Sequence, residues 1–216
     1  MKYRLAIFDM DGTILNTLDD LADSTNHILK KYNFPLHTVE EIRFMVGNGI
    51  PKLIERALPA GTGEETLKKV LEDFLEYYRE HSAIKTAAYP GIAELIKKLK
   101  SMGVITAVNT NKDEKAALTL CEDYFPGLFD IISGSRPGLA PKPCPDAVFE
   151  ILSKAGLPKD TKEAVFIGDS DVDLQTGINA GLETIGVVWG FRGRKFLEEN
   201  GARQIAEKPE DILKFF

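Results

Sequence analysis

Apolar and polar positions follow two rhythms along the chain. The opening run "YRLAIF" (3–8) is short and apolar and reads as a buried strand. From Leu18 the spacing lengthens, and Leu18, Leu21, Ala22, Thr25, Ile28, Leu29 and Tyr32 form one helical stripe, ended by "NFP". A second helical region covers 40–58 and is interrupted by "GNG" at 47–49. A third covers 64–80, with Leu67, Val70, Leu71, Phe74 and Tyr78 on one face. Residues 16–82 are therefore expected to be all-helical.

After "YPG" (89–91) helices and short apolar strands alternate. The pattern predicts a helix marked by Ile92, Leu95, Ile96 and Leu99, then a strand at 103–110 and a helix at 112–124. A strand at 129–133, a helix at 145–156, a strand at 163–170, a helix at 171–181 and a strand at 183–190 follow, with helices near 193–200 and at 209–215. Such alternation implies an α/β fold whose parallel sheet is covered on both faces. The expected architecture is a Rossmann-like parallel-sheet core, 1–15 and 83–216, with an all-helical cap, 16–82, inserted after the first strand. The chain would cross between them at "LNT" (15–17) and "SAIKTAAYPG" (82–91).

Composition changes this picture little. The chain has 216 residues, 44% hydrophobic and 28% charged, which suits an ordinary globular protein with a sizeable core. No apolar run reaches membrane-spanning length. "MKYRLAIFDMDGT" lacks a signal-peptide cleavage site, so a cytoplasmic location is expected. A net charge of −6 with no basic run speaks against a nucleic-acid surface and leaves small anionic substrates open. Cys121 and Cys144 form no CxxC or Cys/His cluster and read as reduced thiols.

Candidate chemistry gathers where the strands end. In open parallel sheets ligands bind beyond the C-terminal strand ends. The first strand delivers Asp9 and Asp11, the second Thr110, Asn111 and Lys112, and the fourth Asp169, Ser170, Asp171 and Asp173; Lys142 follows the third, in "APKPCPD". Any one of these is an ordinary turn or cap residue. Together they put several carboxylates at one mouth, which is tenable around a cation, and oxygen donors without His or Cys select Mg²⁺. Phosphoryl transfer fits this set. Asp9 would attack phosphorus, while Asp11, brought round by a turn at Gly12, would protonate the leaving oxygen and later deprotonate water.

"DMDGT", "NTNK", "PKP" and "GDSDVD", in this order, resemble the four motifs of the haloacid dehalogenase superfamily of phosphatases. The resemblance implies that Asp9 is the nucleophile and Asp11 the general acid/base. It implies that Thr110 and Asn111 hold the phosphoryl group and that Lys142 orients and neutralises it. Gly12 and Thr13 of the first motif join the substrate-binding set. Mg²⁺ would be bound by Asp9, the Asp11 carbonyl and Asp169, with Asp173 close by, and the cap would close over the site.

Within the superfamily, "VGNGIPKLIERAL" (46–58) and "VVWGFRGRKFLEENGA" (187–202) look most like the phosphoglycolate phosphatase subgroup. That makes Asn48 and Gly49 candidates for the substrate's organic end, although "GNG" equally serves as a break between two helices. The expected partner is a small-molecule phosphate ester, with neither nucleic acid nor membrane, and the expected state is a monomer or homodimer. Other phosphate esters, pyrophosphate, a phosphosugar mutase and a receiver-like phosphoacceptor switch are the alternatives.

Overall fold

A computed structural model describes residues 2–216. In chain order its elements are β1 (Leu5–Phe8), β2 (Leu15–Asn16), α1 (Leu18–Lys31), α2 (Val39–Met45), α3 (Ile50–Ala57), α4 (Glu64–His81) and β3 (Ala87–Ala88). They continue with α5 (Ile92–Ser101), β4 (Ile105–Asp113), α6 (Glu114–Tyr124), β5 (Ile131–Ser135), α7 (Asp146–Lys154) and β6 (Ala164–Gly168). The chain ends with α8 (Asp171–Asn179), β7 (Glu183–Val187), α9 (Gly193–Glu199), β8 (Gln204–Ala206) and a 3₁₀ helix, Pro209–Phe215.

The chain forms two compact units, one of residues up to Leu15 with Ala88–Phe216 and the other Asn16–Ala87. The first holds a six-stranded sheet in the order β5-β4-β1-β6-β7-β8, its strands paired in parallel. Taken as successive core strands, this is the doubly wound order 3-2-1-4-5-6. From β1 the chain steps outward to β4 and β5, then returns to β6 on the other side. The reversal point lies between β1 and β6, where such sheets bind ligands.

Burial on both faces explains why β1 carries no polar residue. Ala6 and Phe8 pack with Ile92, Ile96 and Leu99 of α5 and Leu120 of α6. Leu5 and Ile7 face the opposite way, against Val148, Ile151 and Leu152 of α7. Fully burying each large side chain contributes about 1.5–3 kcal/mol, so β1 is a rigid base for the residues that follow.

The helical unit has its own core, including Leu21, Ile28, Ile42, Leu53, Ile54, Val70 and Phe74. Thr38 and Glu41 form a reciprocal capping box at the start of α2. "GNG" breaks α2 from α3 as expected, with Asn48 at φ +60° and Gly49 capping α3.

The second crossing falls at Ala87/Ala88, inside the expected 82–91 segment, where the backbone N–H groups of Lys85 and Thr86 bond to buried Asp20 of α1 and hold 85–86 to the helical unit. Three features go beyond the sequence reading. The crossings themselves pair as the two-stranded sheet of β2 and β3. A sixth core strand, β8, has only three residues and therefore no readable period, and the last helix is 3₁₀.

Candidate active site

Asp9 directly follows β1, and its backbone N–H still donates to the Ile167 carbonyl at 2.9 Å. The chain then turns sharply. The N–H groups of Thr13, Ile14 and Leu15 converge on the Met10 carbonyl at 3.2, 3.0 and 3.0 Å. Gly12 sits at φ +90°, and a Cβ there would come within 2.5 Å of Asp169 Oδ2. Only glycine meets both demands, the left-handed backbone and the close approach.

Across the reversal point, β6 ends at Gly168 and delivers Asp169. Its Oδ1 accepts from the Thr13 hydroxyl at 3.2 Å, and its Oδ2 accepts from the Phe191 N–H at 2.7 Å. Asp173, in the first turn of α8, accepts at Oδ2 from the Ser170 N–H (3.0 Å) and hydroxyl (2.6 Å). Carboxylate oxygens of Asp9, Asp169 and Asp173 lie within 4.8 Å of one another, and all three residues are buried.

Lys142 reaches this cluster from the loop after β5. Its Nζ lies 2.6 Å from Asp9 Oδ1 and 2.7 Å from Asp173 Oδ1. Asn111 positions the lysine by its main chain, accepting from the Lys142 N–H at 2.7 Å and donating to the Lys142 carbonyl at 3.2 Å. The Thr110 hydroxyl accepts from the Lys112 N–H at 3.1 Å, and Lys112 Nζ lies 3.2 Å from Asp11 Oδ1.

The electrostatics point to a cation. Burial, reinforced by the Asp173 charge, holds the Asp9 carboxyl well above the usual carboxylate range. Burial and Asp173 push the Asp169 carboxyl up to about 7. Burial pulls the Lys142 ammonium down, but Asp173 and Asp9 outweigh it and hold its pKa above the ordinary lysine value. Fully ionised, three carboxylates against this one ammonium leave a formal charge of −2. The donors are all oxygen. Charge, burial and donor type together fit a hard divalent cation.

The core thus brings together Asp9, Asp11, Gly12, Thr13, Thr110, Asn111, Lys142, Asp169 and Asp173 from β4, the segments that follow β1 and β6, and the loop after β5. Asn111 has both ends of its amide on the Lys142 main chain. Thr13 and Gly12 lie against Asp169. Asn48 and Gly49 belong to the helical unit, where Arg56 braces their loop by donating to Asn48 Oδ1 and to the carbonyls of Met45 and Gly47.

The segment after β7 is read from the sequence only as a subgroup likeness, and its contacts with the site are new. The Trp189 indole donates to the Thr13 carbonyl at 3.0 Å, and the Phe191 N–H is the one that holds Asp169. A Cβ on Gly190 would collide with Asp169 and with the Gly12 carbonyl. The "WGF" signal was visible, but its contacts depend on how the last strands pack.

The family model of haloacid dehalogenase-like hydrolases matches residues 6–187. A phosphoglycolate phosphatase of Pseudomonas savastanoi pv. phaseolicola is 35% identical, over 94% of this chain and 76% of the relative. Another, of Haemophilus influenzae, is 33% identical over 88% of each chain. A crystal structure from Lactobacillus delbrueckii subsp. bulgaricus, provisionally assigned as a phosphoglycolate phosphatase, superposes with a TM-score of 0.94 at 36% identity, covering 100% of this chain and 98% of the other. On these matches the chain belongs to the haloacid dehalogenase-like hydrolases and is a phosphoric monoester hydrolase of that family.

Proposed function

We propose that the enzyme is an Mg²⁺-dependent phosphatase that hydrolyses 2-phosphoglycolate to glycolate and phosphate. The observation that carries this reading is the buried trio of Asp9, Asp169 and Asp173 with Lys142 bonded to two of its members. The names of the relatives, at 33–35% identity, support the substrate.

A carboxylate about 4 Å from a phosphate dianion meets roughly 8 kcal/mol of repulsion at an effective dielectric near 20. Asp9, Asp169 and the Asp11 carbonyl, with Asp173 close by, would hold Mg²⁺, which when bound would supply charge that offsets this repulsion. Lys142 offsets more of it. An Asp9 oxygen attacks phosphorus, the ester P–O bond breaks, and Asp11 gives its proton to the departing glycolate oxygen. Asp11 then takes a proton from water as that water attacks the aspartyl phosphate, which restores Asp9 and releases phosphate. Asn111 fixes Lys142 through the lysine's main chain, and Thr110 would help hold the phosphoryl group. The helical unit would act as the cap, with Asn48 and Gly49 the residues to vary for substrate choice.

The test is kcat/KM with Mg²⁺ across 2-phosphoglycolate, sugar phosphates, nucleotides and pyrophosphate. A preference for 2-phosphoglycolate of tenfold or more is expected. A higher value for any other member would replace this substrate with that one.

A further inference from the structure

Two lysines alone carry buried positive charge among the described residues, Lys112 and Lys142, each 6% exposed. Burying an ammonium is costly unless anions surround it, so each marks a place where negative charge is expected. They serve different partners. Lys142 is bonded to Asp9 and Asp173, on the phosphoryl side of the proposed reaction. Lys112 has its Nζ 3.2 Å from Asp11 Oδ1, and its side chain is only 4% exposed. Its backbone is tied down as well, through the Lys112 N–H to the Thr110 hydroxyl.

Asp11, on the proposed reading, must reach hydrogen-bond distance of the ester oxygen to protonate it. A cation next to Asp11 is therefore next to whatever group the leaving oxygen carries. In a 2-phosphocarboxylic acid the carboxylate carbon is two bonds from that oxygen. Such a substrate has two anionic ends flanking one ester oxygen, and the core offers two buried ammoniums flanking Asp9 and Asp11. We infer that Lys112 is a specificity-determining residue that binds a carboxylate on the carbon bearing the ester oxygen, which defines the substrate class as small 2-phosphocarboxylates. This inference rests on Asp11 acting at the leaving group.

The experiment compares carboxylate substrates, 2-phosphoglycolate and 2-phospholactate, with their uncharged carboxamides in the wild type, Lys112→Met and Lys112→Arg. The readout is the ratio of kcat/KM for each acid to that for its amide. A charged hydrogen bond lost on the acid alone lowers this ratio by about 100-fold in Lys112→Met. In Lys112→Arg, which keeps the charge, the ratio stays within about tenfold of wild type. Amide hydrolysis by Lys112→Met serves as the reference for any disturbance of Asp11 or of folding.

An unchanged ratio in Lys112→Met, or no preference for acid over amide in the wild type, would overturn the inference. A Lys112-dependent preference seen with 2-phospholactate but not with 2-phosphoglycolate would support it while removing the proposed substrate. Loss of every activity in Asp11→Asn with the acid ratio intact in Lys112→Met would uphold the phosphatase reading and reject this one.

Discussion

Lys142 has its ammonium within 2.6 Å of Asp9 and 2.7 Å of Asp173, so one side chain both orients the proposed nucleophile and faces the charge that develops during transfer. Replacing it with Ala is expected to lower kcat by roughly 100- to 1,000-fold, the cost of removing a donor aimed at the transition state. Steady-state kinetics with 2-phosphoglycolate checks this. A rise in KM with kcat preserved would make Lys142 a ground-state binder instead. Gly190 matters for a different reason, because it has no room for a side chain against Asp169 and the Gly12 carbonyl. Gly190→Ala should displace the Phe191 N–H from Asp169 and weaken Mg²⁺ affinity by about 10- to 100-fold. Calorimetric titration with Mg²⁺ measures it, and wild-type affinity would show that this strap has no hold on the ligand.

Strand ends were legible in the sequence because their signal is local. The run through Phe8 into Asp9, and "AVFIGDS" into Asp169, each combine a buried apolar segment with an abrupt polar stop. The helices of 16–82 were legible for the same reason, through their stripes. What was not legible was long-range or very short. Asn111 bonds to the main chain of a residue 31 positions away, a contact that nothing near it in the sequence announces. β8 is three residues long and β2 and β3 two each, too little for a period to appear. At this scale α6 also carries a checkable consequence. Cys121 is buried in its core face, and burial pushes the thiol up to about 12, whereas Cys144 is half-buried in a loop. At pH 8 only about one Cys121 in 10⁴ is a thiolate, given a pKa four units above the solution pH. Ellman's reagent should therefore modify one thiol in the native protein and the second only after unfolding in guanidinium. Two fast thiols would contradict the packing of α6.

The two sides of the sheet reversal, β1 and β6, meet over a charge imbalance, which ties the stability of the fold to pH. Asp169 has its carboxyl at about 7 in the folded metal-free state, chiefly through burial, against 3.8 for an ordinary aspartate. The folded state therefore binds more protons than the unfolded chain between these values. Its contribution is fully present below about pH 4 and is lost as pH rises through 7. The EDTA-treated protein should lose stability between pH 5 and 7.5, by an amount that shrinks in Asp169→Asn, and Mg²⁺ should restore more stability at pH 7.5 than at pH 5. Urea midpoints in the four conditions check this, and equal midpoints throughout would contradict it. The central claim, however, is that Asp9 carries the phosphoryl group. Rapid acid quench of the enzyme with substrate in the first turnover, borohydride reduction and peptide sequencing test it most directly. The account predicts homoserine at position 9 and nowhere else. Unmodified aspartate at position 9 throughout turnover, with phosphate still released, would contradict it.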